Sequence, residues 1–247
     1  MKAHIAYGDS LRQHLDLYLS DQPRQGRPLI VFVHGGAWSH GHKQDYRFVG
    51  DAFACEGYDV AIINYHLAPT HIFPTSVDDL ALALNYLHAQ QQQLEIVTQN
   101  IILMGHSAGA FNVMSVLYSA QEYDLACREQ IRAVIGLAGP YHFDYKDDPL
   151  CADAFDQQIH YAQVMPYYFV EKNAVRHYLF VAANDKIVHP NNAIDVDREL
   201  KAIGNHSEII NIARTGHISL MGSVARLFSR YFSTKKQILA ALERALV

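Results

Sequence analysis

The chain has 247 residues, of which 50% are apolar, enough for a substantial core in one domain. Its 20 Lys and Arg against 25 Asp and Glu leave a formal charge of −5 at pH 7, which gives no electrostatic reason to expect nucleic acid or an anionic membrane as a partner. The 3 cysteines show no metal-type spacing, no apolar run is long enough to span a bilayer, and the first residues do not resemble a signal peptide, so reduced thiols in a cytoplasm are expected.

Residues His14 to Leu19 alternate polar and apolar, as an antiparallel edge strand does. A polar turn from Arg24 to Pro28 leads into Leu29-Ile30-Val31-Phe32-Val33, which reads as a buried parallel strand. His34-Gly35-Gly36-Ala37-Trp38 follows it. Paired glycines let backbone pass close to a ligand and turn its amides inward, although an ordinary strand exit has the same composition. Val60 to Asn64 is a further buried strand, and Ser76 to Ala89 has the apolar spacing of a helix. Gln90 to Gln93 reads as an exposed helix end. Asn100 to Met104 is a strand, Gly105-His106-Ser107-Ala108-Gly109 a sharp turn, and Phe111 to Ser119 a helix.

Ile131 to Leu137 is the next strand, ending near Gly139-Pro140. Tyr141 to Asn173 breaks the alternation, being rich in Tyr, Phe, His and Asp with Pro149 and Pro166 as breakers. It reads as a small cap over the site, with two short surface helices as the alternative. Tyr178 to Ala183 is a strand with Asn184-Asp185 just past its end. Asn192 to Ile203 is a helix whose Asp195 and Asp197 suit a solvated face. Glu208 to Ile212 is the last strand, with Gly216-His217 in the loop beyond. Thr234 to Val247 reads as an amphipathic helix with Ile238, Leu239, Leu242 and Leu246 on one side, docking on its own domain, with a dimer contact as the alternative. Strands alternating with helices imply a mostly parallel sheet covered on both faces, with ligands beyond the carboxyl ends of the strands.

Strand, Gly-x-Ser-x-Gly and helix in succession form a nucleophile elbow, with Ser107 at its apex. A serine hydroxyl is a weak nucleophile at neutral pH and needs a base. His217 is the candidate base by its place after the last strand; His189, His206 and His177 are weaker candidates. Asp185 is the candidate that orients the imidazole and stabilises the imidazolium, preferred over Asp195 and Asp197. Serine, carboxylate, histidine is the chain order this constellation takes on a parallel sheet. The oxyanion of an acyl-transfer intermediate needs fixed donors, and the amides of Gly36, Ala37 and Ala108 are assigned to it.

With those residues in place, the chain resembles the α/β-hydrolase superfamily. It is most similar to the branch of small carboxylesterases, hormone-sensitive-lipase-like enzymes and kynurenine formamidases. The segments at 34–38 and 105–109, Tyr65-His66-Leu67-Ala68-Pro69 and Gly216-His217-Ile218-Ser219-Leu220 carry the match, with Phe73-Pro74 and Asp78-Asp79 between them. Two positions depart from the pattern. Ala37 stands where a third glycine is common, and His66 stands where arginine is common, which puts a structural ion pair in question. His34 reads as a structural residue bonded to nearby backbone.

The resemblance implies an α/β-hydrolase fold with about eight strands, one domain over 1–247 and a short cap over 141–173. It implies a carboxylesterase cleaving small acyl esters through an acyl-enzyme, or alternatively an arylformamidase acting on N-formylkynurenine. A non-catalytic binding protein on the same fold is a third possibility, disfavoured by the intact triad positions. Trp38, Tyr141, His142, Phe143 and Ile218 are the candidate pocket residues, with packing beside the strand end as the equal alternative for Trp38. The triad supplies both base and nucleophile, so no cofactor and no metal is implied. The expected partner is a small-molecule ester, with no nucleic acid and no membrane, and the expected state is a monomer or homodimer.

Overall fold

Lys2–Ala6 (β1), His14–Tyr18 (β2), Leu29–Val33 (β3), Asp59–Ile63 (β4), Ile101–His106 (β5), Ile131–Leu137 (β6), Arg176–Ala182 (β7) and Ser207–Ile212 (β8) form one sheet in the order β1-β2-β4-β3-β5-β6-β7-β8. The computed structural model describes residues 1–246. β2 runs antiparallel to both β1 and β4, and every neighbouring pair from β4 to β8 is parallel. This is the mostly parallel, eight-stranded α/β sheet that the resemblance implies.

Burial explains why β3 sits at the centre. Its five residues are all fully buried, and they alternate between two cores. Leu29, Val31 and Val33 face one cluster with Val77, Leu84, Val113 and Val196, while Ile30 and Phe32 face the other with Val49, Phe53, Ile238 and Leu242. Each such aliphatic contributes about 1.5–3 kcal/mol on burial, against about 1 kcal/mol for a ladder hydrogen bond. Side-chain burial on both faces therefore dominates the placement of β3.

The first cluster is covered by Thr75–Ala89 (helix α2, after α1 at Arg47–Ala54), by Ala108–Ser115 (α4, after the short α3 at Gln91–Leu94) and by Asn191–Ala202 (α5). The second is covered by α1, by His217–Gly222 (α6) and by Thr234–Ala245 (α7). On α7, Ile238 and Leu242 are buried and Leu239 and Leu246 half-buried against the sheet, so its apolar side docks on its own domain. Val247 of the expected helix lies outside the described residues.

Several elements differ from expectation. The sequence pattern predicts neither β1 nor α1. β1 is short and largely exposed, with Ile5 half-buried, so it has no period-2 signal to read. α1 carries a mid-helix glycine, Gly50, that masks its apolar face. α4 starts at Ala108, directly after the elbow serine, and ends at Ser115, earlier than the expected Ser119. His217 begins a short helix and does not lie in an open loop.

The segment from 141 to 173 contains three single turns of 3-10 helix, at Ala152–Ala154, Tyr161–Gln163 and Pro166–Phe169. Tyr145, Phe155, Val164 and Met165 from this segment close a third apolar cluster over Trp38 and Phe111. Its aromatics thus pack above the end of the sheet that bears the elbow.

In strand order β3 lies between β4 and β5, so the chain leaves β3 on one side and returns on the other. That is the switch point at which open parallel sheets leave a crevice beyond their strand ends. Val33 pairs with Gly105 in register, which sets the two glycine-rich turns side by side there.

Candidate active site

Ser107 adopts φ 55° and ψ −123°, a left-handed conformation that costs a non-glycine residue roughly 1–3 kcal/mol and persists only where surroundings impose it. The surroundings here are backbone. A Cβ on Gly105 would meet the Gly109 oxygen at 2.2 Å, and one on Gly109 would meet the Val33 oxygen at 2.1 Å. Both elbow glycines are therefore dictated by strand, turn and helix packing in contact.

The hydroxyl this turn presents is met by His217. Nε2 of His217 lies 2.8 Å from Ser107 Oγ, and Nδ1 lies 2.8 Å from Asp185 Oδ2. The His217 and Asp185 side chains are 7% and 3% exposed, so the pair is shielded from water. Asp185 spends its other oxygen, Oδ1, on the amides of Ile187 and Val188 at 2.9 and 3.0 Å. A carboxylate held on both oxygens cannot rotate away from the ring. Ser219 Oγ receives the Gly216 amide at 2.8 Å and starts the helix on whose first residue the imidazole is mounted.

Opposite the hydroxyl, Gly36, Ala37 and Trp38 take successive positive φ values of 126°, 48° and 59°. A tight turn of this kind leaves successive N–H groups free to face a bound anion. The turn is closed by the His40 amide donating to the Gly36 oxygen at 2.8 Å, and a Cβ on Gly36 would strike that same residue's oxygen at 2.3 Å. Among the described residues, none accepts a hydrogen bond from the amides of Gly36, Ala37 or Ala108. Ala37 and Ser107 line one cavity of about 220 Å³.

Of the expected pocket residues, Trp38 and Phe143 line that cavity, their ring planes 14° apart and centroids 6.5 Å apart. Trp38 is also a packing residue: its Nε1 donates to Asn112 Oδ1 at 3.0 Å, and its ring meets Phe111 and Phe155 edge-on. The other three do not line it. Tyr141 is buried against Gly136 and Gly139, where no side chain competes for its place. His142 is occupied by Asp195 at 2.9 Å and the Tyr168 hydroxyl at 3.0 Å. Ile218 is 75% exposed, because one helical step from the inward-facing His217 turns it to solvent. Leu150, Ile187 and Val188 supply apolar wall instead, with Asp144, Asp148, His189 and Asn192 among its polar groups. For Ile187 and Val188 a signal existed, since they follow Asp185 directly. For Leu150 and Asn192 there was none.

The weaker candidates lie elsewhere or are occupied. His177 sits at the amino end of β7, bonded to the Tyr118 hydroxyl and the His206 oxygen, and burial pulls its pKa down to about 4. His189 reaches the cavity, but its Nδ1 accepts the Asn191 amide. Asp195 pairs with His142, and Asp197 with Lys201. His34 bonds the Gly35 oxygen and stacks on Tyr65, and burial lowers its pKa to about 3, which keeps it neutral and structural. His66 keeps a hydrogen bond to a carboxylate although it replaces the usual arginine, with Nδ1 2.8 Å from Asp79 Oδ2. Among the described residues, no group of three or more His, Cys, Asp or Glu is placed to hold a metal, and no helix is long and apolar enough to cross a membrane.

Comparison with known proteins gives the family and the fold. The BD-FAE family profile matches residues 15–200. The chain belongs to the BD-FAE family. The matched span takes in both glycine turns, Ser107 and Asp185, and stops before His217. A probable isoprenylcysteine alpha-carbonyl methylesterase ICME of Oryza sativa subsp. japonica is 30% identical over 146 residues, 57% of this chain and 35% of that protein. Esterase LipC of Mycobacterium tuberculosis is 27% identical over 60% of this chain and 39% of its own length. The kynurenine formamidase of Drosophila melanogaster is 27% identical over 56% of this chain and 45% of its own length. This BD-FAE chain thus spans less than half the length of each of these curated relatives. Among solved structures, a truncated carbohydrate esterase from gut microbiota superposes with a TM-score of 0.80 at 16% identity, covering 99% of this chain and 96% of that one. Esterase B from Lactobacillus rhamnosis gives 0.79 at 16% identity, over 99% and 84%. At that identity the superpositions speak for the fold. Family and fold together place this BD-FAE chain in the esterase branch of the α/β hydrolases.

Proposed function

We propose that the chain is a serine carboxylesterase that cleaves small acyl esters through an acyl-enzyme. The observation that carries this is the position of one imidazole, 2.8 Å from a serine hydroxyl on one side and 2.8 Å from a carboxylate on the other. The Asp185 carboxylate accepts Nδ1–H, which leaves the Nε2 lone pair free for the Ser107 proton. Ser107 Oγ attacks the ester carbonyl as its proton moves to Nε2. The carbonyl oxygen becomes an oxyanion that the amides of Gly36, Ala37 and Ala108 receive. As the tetrahedral intermediate collapses, the C–O bond to the alcohol breaks and the imidazolium returns the proton to the leaving oxygen. Water, deprotonated by the same nitrogen, then releases the acid and restores the serine.

A cavity of about 220 Å³ with mostly apolar walls suits short acyl groups. Ser107→Ala should leave the fold intact and lower turnover of p-nitrophenyl acetate by a factor on the order of 10⁶. Full activity in that variant would overturn the proposal.

A second activity, arylformamidase, would use the same groups. Two observations favour keeping it: the flat side that Trp38 and Phe143 give the cavity, and the likeness to a kynurenine formamidase. Comparing kcat/KM for N-formylkynurenine with that for p-nitrophenyl acetate and butyrate separates the two.

A further inference from the structure

Behind Ser107, Asp185 and His217 runs a second file of polar groups that the proposed chemistry does not use. His106, between Gly105 and Ser107, is buried with its ring centroid 5.1 Å from that of His217. Its Nε2 lies 3.1 Å from the backbone oxygen of His217, and its Nδ1 lies 3.2 Å from the Tyr46 hydroxyl. The Tyr46 oxygen lies 3.2 Å from the Gly35 amide.

The two ends of this file fix its protons. A carbonyl only accepts, so His106 Nε2 carries the hydrogen. A neutral imidazole has one, so Nδ1 accepts the Tyr46 O–H. The Gly35 N–H only donates, and the Tyr46 oxygen accepts it. Burial lowers the His106 pKa to about 4, which keeps the ring in the one form that satisfies all three bonds. His106 cannot serve as a second base, because its Nε2 is turned to a carbonyl and its Nδ1 to a phenol. What the file does is join three turns. Gly35 precedes the amides assigned to the oxyanion, His106 precedes the nucleophile, and the His217 oxygen belongs to the base itself.

We infer that Tyr46 and His106 are positioning residues for hydrolysis, holding the backbone of His217 and the Gly35 turn in the mutual placement that Ser107 requires. Both roles presuppose the triad proposed above.

Tyr46→Phe tests this with the loss of a single oxygen, since the ring keeps its packing on Phe32 at 5.2 Å. Displacing reacting groups by about 1 Å costs on the order of a hundredfold, so Tyr46→Phe should lower kcat for p-nitrophenyl acetate by about ten- to a hundredfold with KM within about twofold. The rate is taken per active site titrated with a fluorophosphonate, so misfolded protein does not count. The rate constant of phosphonylation should fall in step with kcat. His106→Leu should lose at least as much, and His106→Gln, which restores a donor toward the His217 oxygen, should recover part of that loss.

An unchanged kcat per titrated site in Tyr46→Phe, or a loss confined to KM, would overturn the inference. If His106→Leu does not fold, Tyr46→Phe decides alone. Ser107→Ala run in parallel separates the two levels. If it is inactive while Tyr46→Phe is unaffected, only the positioning roles fall; if it remains active, the triad falls and they fall with it.

Discussion

Ala37 holds its place in the candidate oxyanion turn at φ 48°, where β-branched side chains are strained. Its amide, not its methyl, is the group assigned to the reaction, and this separates two substitutions. Ala37→Gly keeps the amide and relieves the left-handed conformation, so kcat should stay within about threefold of wild type. Ala37→Val adds a branch that cannot sit there without moving the turn, and loss of one oxyanion donor costs about 10²–10³ in turnover. Steady-state kinetics on p-nitrophenyl acetate check both, and little loss in Ala37→Val would place the oxyanion donors elsewhere. Ser107, Gly105, Gly109 and the Gly35-Gly36 pair were legible from sequence because their chemistry is local. Each answers to a turn a few residues long. The Asn112 partner of Trp38, the Tyr46 hydroxyl and the Leu150 wall were not, because such contacts join residues tens of positions apart and no short pattern encodes them.

At the level of elements, Gly50 in α1 shows how tertiary contact overrides local preference. Alanine in a helix interior is favoured over glycine by about 0.8–1 kcal/mol. Here, however, a Cβ would lie 2.5 Å from the Tyr18 ring, in a nearly dry contact between α1 and β2. Overpacking of that kind costs about 1–3 kcal/mol. The clash should win, so Gly50→Ala should lower stability by up to about 2 kcal/mol in urea denaturation; a gain in stability would mean that the ring moves aside freely. The same contact explains why α1 escaped the sequence reading. Val49, Ala52 and Phe53 give it a buried face, but the glycine that fits Tyr18 reads as a break. The central strands had no such conflict. β3, β5, β6 and β7 are apolar over most of their length and were legible, whereas exposed β1 depends on pairing with β2 and had no pattern of its own.

For the whole molecule, the buried imidazoles set the acid limit. His34, His106 and His177 are each buried and held neutral, with pKa lowered to about 3, about 4 and about 4. All three are committed to tautomers with an acceptor nitrogen or a tight ring stack, so protonation has no place in the native fold. Unfolded, each returns to about 6.5. Below that pH the unfolded chain binds more protons than the folded one, so stability is fully present above about pH 6.5 and is lost as pH falls toward the folded values. The slope approaches about 1.4 kcal/mol per pH unit for each histidine. Ordinary carboxylates titrate below about 4.5, so the range from pH 6.5 to 5 isolates the histidines. Urea midpoints at constant ionic strength should be flat from pH 8 to 7 and fall steadily below 6.5. In His177→Gln the amide can still donate to the His206 oxygen and accept from Tyr118, but it cannot take a proton. The fall should then be shallower, one of the three fully buried histidines having been removed. A midpoint unchanged between pH 7 and pH 5 in the wild-type chain would mean that these rings accept protons in the folded state as readily as in the unfolded one, which their burial forbids.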